Sequence, residues 1–181
     1  DLGYYLFQEI IENSFGGQRS LNQLSSDYFY KKLGMENLGF LPLKRIDLSR
    51  IVPTEVDFRF RSQLLRGYVH DMGAAMKGGV SGHAGLFSNA NDLAKLMQMY
   101  LQNGEYAGER YLSQQVVKEF TKYQFADSRR GAGFDKVVLE NQKGGPASLN
   151  ASEYAFGHSG FTGTLAWADP KSNLIYIFLS N

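Results

Sequence analysis

Residues 164–179 constrain this 181-residue chain more than any other stretch: TLAWA, then DPKSN, then LIYIFL. Two extended apolar runs flank a segment rich in turn-forming residues, and this pattern predicts an antiparallel β-hairpin. The second run is apolar at every position instead of every other one, which predicts cover on both faces of that strand. The fold class implied is α+β, with an antiparallel sheet flanked by helices on both faces and a helical subregion.

Helical signals fill the first part of the chain. Leu2, Tyr5, Leu6 and Ile10 recur at helical spacing before Gly16-Gly17, and Leu24, Tyr28, Phe29 and Leu33 do the same before Gly34. Residues 40–67 lose that period and carry Pro42 and Pro53, so they read as loops with extended pieces near 45–52 and 56–61. A glycine-rich turn at 78–85 leads, through Ser88 or Asn91 as N-cap, into a helix over 92–101. Ser113 caps another helix, with Val116, Val117 and Phe120 facing inward. Residues 124–152 are polar and glycine-rich and predict an irregular excursion. With no internal repeat visible, residues 1–181 read as one folding unit.

Charge and composition exclude several partners. Nineteen basic and eighteen acidic residues leave a net charge of +1 with no basic block, a poor match to nucleic acid. Cysteine is absent, which excludes disulfides and thiolate metal sites. The apolar run at 174–179 falls far below the roughly 20 residues that cross a bilayer, so no transmembrane segment is predicted. His70, His83 and His158 show no helical i, i+4 pairing, so neither a metal site nor a cofactor is expected. His70 and Asp71 are adjacent and point apart, which favours separate structural hydrogen bonds over an acid–base pair. The 78–85 turn before a helix could hold an anion, although it matches no phosphate-loop spacing.

GHSGFTGT, residues 157–164, precedes the hairpin. An esterase elbow needs G-x-S-x-G at a strand-to-helix turn, whereas here Gly160 directly follows Ser159 and a strand comes next, so Ser159 is not read as a nucleophile. Two readings stay open from the residues alone. In one, glycines let a substrate approach a strand edge whose amides bind an oxyanion or an extended peptide. In the other, they permit a bend and His158 is an ordinary surface histidine.

Taken in order, DLGYYLFQEII, LGMENLGFLP, GYVHDMGAAMKGGVSGHAGLFSNANDLAKLMQMYL, GAGFD and GHSGFTGT…WADP…IYIFLSN resemble the serine β-lactamase and penicillin-binding protein superfamily. The class C-like, esterase-like branch is most similar, including β-lactamase-like domains fused to bacterial β-N-acetylglucosaminidases. The resemblance covers essentially the whole chain. It implies that His158-Ser159-Gly160 corresponds to the family's K-T-G motif, with His in place of Lys and Ser in place of Thr. Ser159, Gly160 and Thr162 would then bind substrate, His158 would supply a donor and partial positive charge, and the Phe161 amide would face the oxyanion. Asp1 resembles the last residue of the family's Y-x-N motif.

No serine in the chain has a lysine three positions on, so the family's S-x-x-K is not among these residues. The resemblance therefore implies the C-terminal part of one β-lactamase-like domain, incomplete at both ends and inactive by itself. It further implies a bacterial periplasm or cell-envelope setting and a small-molecule or peptidoglycan-peptide substrate: a β-lactam, a D-Ala-D-Ala peptide or an ester. Self-association through uncovered surfaces is also expected. The competing expectation is a non-catalytic peptide- or cell-wall-binding module of the same fold.

Overall fold

The computed structural model describes residues 1–138 and 145–180. Two compact units divide the chain, Asp1–Asp92 and Leu93–Ser180.

In the first unit, α1 (Leu2–Ser14) ends at Phe15, before the paired glycines. Ser20 and Gln23 form a capping box that starts α2 (Leu21–Ser25), which continues as one π-helical turn over Ser26–Tyr30. Of the predicted stripe, Leu24 and Leu33 are buried, Phe29 is half-buried and Tyr28 is exposed. The stretch expected to be extended near 45–52 instead holds a 3-10 turn at Leu48–Arg50, because the Asp47 carboxylate accepts the Ser49 amide (2.8 Å) and nucleates the turn. The antiparallel pair is β1 (Pro53–Asp57) with β2 (Gln63–Arg66). Asp57 closes their connection by accepting the amides of Arg59, Phe60 and Arg61 and the Arg61 guanidinium. A short helix, α3 (Met72–Met76), is capped by Asp71. A cavity of about 410 Å³ lies among Leu41, Phe60, Tyr68, Val69, Met76 and Phe87.

The next helix, α4, spans Ala90–Leu101. Asn89, and neither Ser88 nor Asn91, caps it by accepting the Asp92 amide (2.9 Å). Asp92 in the first turn is buried and accepts the amides of Asn37 and Leu38 (2.7 and 3.2 Å).

The second unit contains a small ribbon, β3 (Glu105–Tyr106) with β4 (Glu109–Arg110), and helix α5 (Gln114–Thr121), capped by Ser113 as expected. Of the three residues expected to face inward from α5, only Val117 is buried; Val116 and Phe120 remain exposed. A four-stranded antiparallel sheet follows in the order β5 (Asp135–Lys136), β6 (Phe156–Ser159), β7 (Leu165–Asp169) and β8 (Leu174–Phe178). The predicted hairpin is β7–β8. β5 falls within the expected excursion, of which residues 139–144 lie outside the described residues.

Met97 packs against Phe156 and Ala168, with Tyr100, Phe134, Ala166 and Ile175 around them, so α4 covers one face of the sheet. Helix and antiparallel sheet thus build the α+β fold. The expectation that β8 is covered on both faces does not hold: Ile175 and Ile177 are half-buried, while Leu174, Tyr176 and Phe178 are exposed. An uninterrupted apolar run encodes strand-forming residues, but which face is covered depends on neighbours distant in sequence.

Candidate functional site

Five of the six residues singled out from the sequence are contiguous at the end of β6 and in its turn to β7. His158 and Ser159 close the strand, and Gly160, Phe161 and Thr162 enter the turn. The Gly160 amide donates to Thr164 O (2.7 Å), the Gly163 amide to Gly160 O (3.1 Å), and the Ser180 hydroxyl to Gly163 O (2.7 Å). These bonds hold the turn at both ends. The Phe161 ring projects to solvent, 95% exposed. Asp1 lies in the other unit, at the N-cap of α1, where its carbonyl accepts the Tyr4 amide (2.9 Å) while its side chain makes no capping bond.

The backbone of β6 is asymmetric. β7 pairs with all four residues, whereas β5 pairs only with Phe156 and Gly157. Along an antiparallel strand, successive residues direct their N–H and C=O to opposite neighbours. Gly160 donates toward β7, so Ser159 directs its peptide groups to the side that β5 does not reach. His158 Nδ1 lies 2.7 Å from Ser159 O. A carbonyl only accepts, so a proton sits on Nδ1.

Gly157 is required by packing. A Cβ there would lie 2.3 Å from Ala166 O and 2.5 Å from the Trp167 ring. Trp167 is opposite Gly157 in the register and is 7% exposed, so the absent side chain admits the indole against β6. Buried Lys136 on β5 supports the same strand by donating to Ala155 O (2.8 Å) and lies 5.0 Å from the centre of the Tyr123 ring. Burial pulls its ammonium down to about 8 despite the opposing pull of Asp169 and Glu153.

The remaining histidines occupy the first unit. His70 Nε2 lies 2.9 Å from Glu55 Oε1, and His83 Nε2 lies 2.8 Å from Asp71 Oδ1. Asp71 therefore pairs with a histidine twelve positions on and not with its neighbour. Sequence reasoning missed this pair because its spacing follows no helical or strand period. Among the described residues, no group of three or more His, Cys, Asp or Glu could hold a metal ion, and no helix is long and apolar enough to cross a membrane.

Helix α4 thus packs on an antiparallel sheet in which β5 pairs with only the first two residues of β6. The family model described as Beta-lactamase matches residues 1–181, and the chain belongs to this family, within the serine β-lactamase and penicillin-binding protein superfamily. It is 34% identical over 194 residues to the "Putative D-alanyl-D-alanine carboxypeptidase" of Escherichia coli (strain K12), with 100% of this chain and 44% of that protein covered. The corresponding protein of Salmonella enteritidis is also 34% identical, with the same coverage. The chain therefore spans less than half the length of these curated relatives.

Among solved structures, a penicillin-binding protein homologue from Caulobacter crescentus superposes with a TM-score of 0.65 at 24% identity, covering 98% of this chain and 50% of that one. A β-lactamase from Mycobacterium bovis gives 0.64 at 18% identity, with 97% and 53% covered. These two likenesses concern the fold.

Proposed function

We propose that residues 157–162 form the substrate-binding strand of a serine hydrolase that works through an acyl-enzyme, and that its substrates are peptides ending in D-alanyl-D-alanine. The observation that carries this reading is the direction of the Ser159 peptide groups, toward the side of β6 left open beyond Gly157. An extended peptide laid along that edge would pair with Ser159 as an added strand. The names of the relatives from Escherichia coli and Salmonella support the choice of D-alanyl-D-alanine ends over other peptides.

In this reading the Ser159 hydroxyl bonds the substrate's terminal carboxylate or carbonyl. The His158 ring, oriented by Ser159 O, supplies a donor and partial positive charge toward the substrate. The Phe161 amide faces the oxyanion of the tetrahedral intermediate, where loss of one donor typically costs about 10²–10³ in turnover. Asp1 is assigned to the Y-x-N position. A serine hydroxyl needs an adjacent base to attack, and none of the serines in these 181 residues has a lysine three positions on. The proposal therefore assigns this chain to binding and not to nucleophilic attack. A bacterial cell-envelope location follows from the substrate.

A titration of the chain with an N-acylated Lys-D-Ala-D-Ala peptide, followed by amide NMR, tests this reading. Shifts centred on residues 157–162, without turnover of that peptide or of a chromogenic β-lactam, are expected. Shifts confined to other residues, or turnover blocked by a serine-directed inhibitor, would overturn it.

A further inference from the structure

We infer that His83 is a positioning residue that seats α1, held in one orientation by Asp71 and Ser81. Asp71 Oδ1 accepts both the Ala74 amide that starts α3 (2.7 Å) and His83 Nε2 (2.8 Å). Burial pushes the Asp71 carboxyl up, but the Ala74 amide and His83 outweigh it and the net displacement is downward, so the acceptor is a carboxylate. A carboxylate only accepts, which puts a proton on Nε2. On the other side of the ring, Ser81 Oγ lies 3.0 Å from Nδ1, and Ser81 is 2% exposed. Its hydroxyl needs a partner, and donation to Nδ1 satisfies both groups. A proton on Nε2, with the Ser81 hydroxyl donating to Nδ1, satisfies each group of the cluster.

The ring fixed in this way meets α1. Tyr5 packs edge-on against His83, with centroids 4.8 Å apart and planes at 73°. The Tyr5 hydroxyl occupies the space over Gly73, where a Cβ would come within 2.2 Å of it. One position further along the loop from Ser81, a Cβ on Gly82 would lie 2.5 Å from Tyr4 O. Lys77 Nζ sits 5.2 Å over the Tyr5 ring and 3.3 Å from Glu9 Oε1, and Gln8 Nε2 reaches Val80 O at 3.5 Å. Residues 71–83 thus form a seat cut to the first turns of α1. Its fit requires glycine at two points and a histidine locked by hydrogen bonds at a third. The last step, from a placed α1 to a placed Asp1 at its N-cap, rests on the function proposed above.

Nitrogen NMR of the His83 ring and hydrogen exchange of the α1 amides test the seat without any need for turnover. The wild type is expected to show the Nε2–H tautomer, as the Asp71 and Ser81 contacts require. Gly73→Ala is expected to speed exchange in α1 about tenfold, as its methyl displaces the Tyr5 hydroxyl. Adding Tyr5→Phe removes that hydroxyl and is expected to restore protection, a rescue that a general loss of stability would not give. His83→Gln is expected to speed exchange in α1 without rescue by Tyr5→Phe.

An Nδ1–H tautomer in the wild type, failure of Tyr5→Phe to rescue Gly73→Ala, or unchanged α1 exchange in His83→Gln would overturn the inference. Should Gly73→Ala not fold, the wild-type tautomer and the His83→Gln exchange still decide. Failure of the D-Ala-D-Ala peptide to shift residues 157–162 bears only on the proposed function, because the tautomer and exchange measurements involve no substrate.

Discussion

Gly157 and Gly160 flank His158 and Ser159, yet they are glycines for different reasons. A Cβ at Gly157 meets the Ala166 carbonyl and the Trp167 ring, neither of which can retreat without opening the β6–β7 pair. At Gly160 the nearest obstacle is the Thr164 hydroxyl at 2.4 Å, the end of a side chain that can rotate. Gly157→Ala is therefore expected to cost about 1–3 kcal/mol, as overpacking does, and Gly160→Ala clearly less. Urea denaturation of the two variants checks the order; equal costs would remove the distinction. The sequence shows both glycines and their spacing. That Trp167 presses on only one of them depends on the register between β6 and β7.

At the scale of elements, the short pairing of β5 with β6 is supported by the buried Lys136 ammonium, whose acidity is displaced from its ordinary 10.5 to about 8. Burial disfavours the charged form. Between about 8 and 10.5 the unfolded chain holds this proton while the folded chain releases it, so stability from this group rises with pH across that window. Below it, both states are protonated and the group adds no slope. The urea midpoint is expected to climb between pH 8 and 10, and Lys136→Met to flatten that climb. A slope unchanged by the substitution would mean that another group is responsible. Helix starts and turns were more legible than this: Ser113 and the DPKSN turn act within a few residues of where they stand. The capping of α4 by Asn89 in place of Ser88 or Asn91 shows the limit, since adjacent polar residues compete for one set of amides.

On the scale of the molecule, β8 is the last strand of its sheet among the described residues and carries exposed Leu174, Tyr176 and Phe178 with no charged residue among its five positions. Edge strands of this kind are templates for pairing with another chain. Light scattering is expected to show mass rising with concentration, and Tyr176→Lys to suppress the rise; a constant monomer mass at high concentration would refute it. The sequence by itself determined the α+β class, most of the helices and the β7–β8 hairpin, because periodicity, caps and turn residues act between near neighbours. Only the tertiary structure decided which face of β8 is covered, which way Ser159 directs its peptide groups, and that Asp71 pairs with His83 instead of His70. Each of these depends on strand register or on contacts between residues far apart in the chain, and no local spacing carries that information.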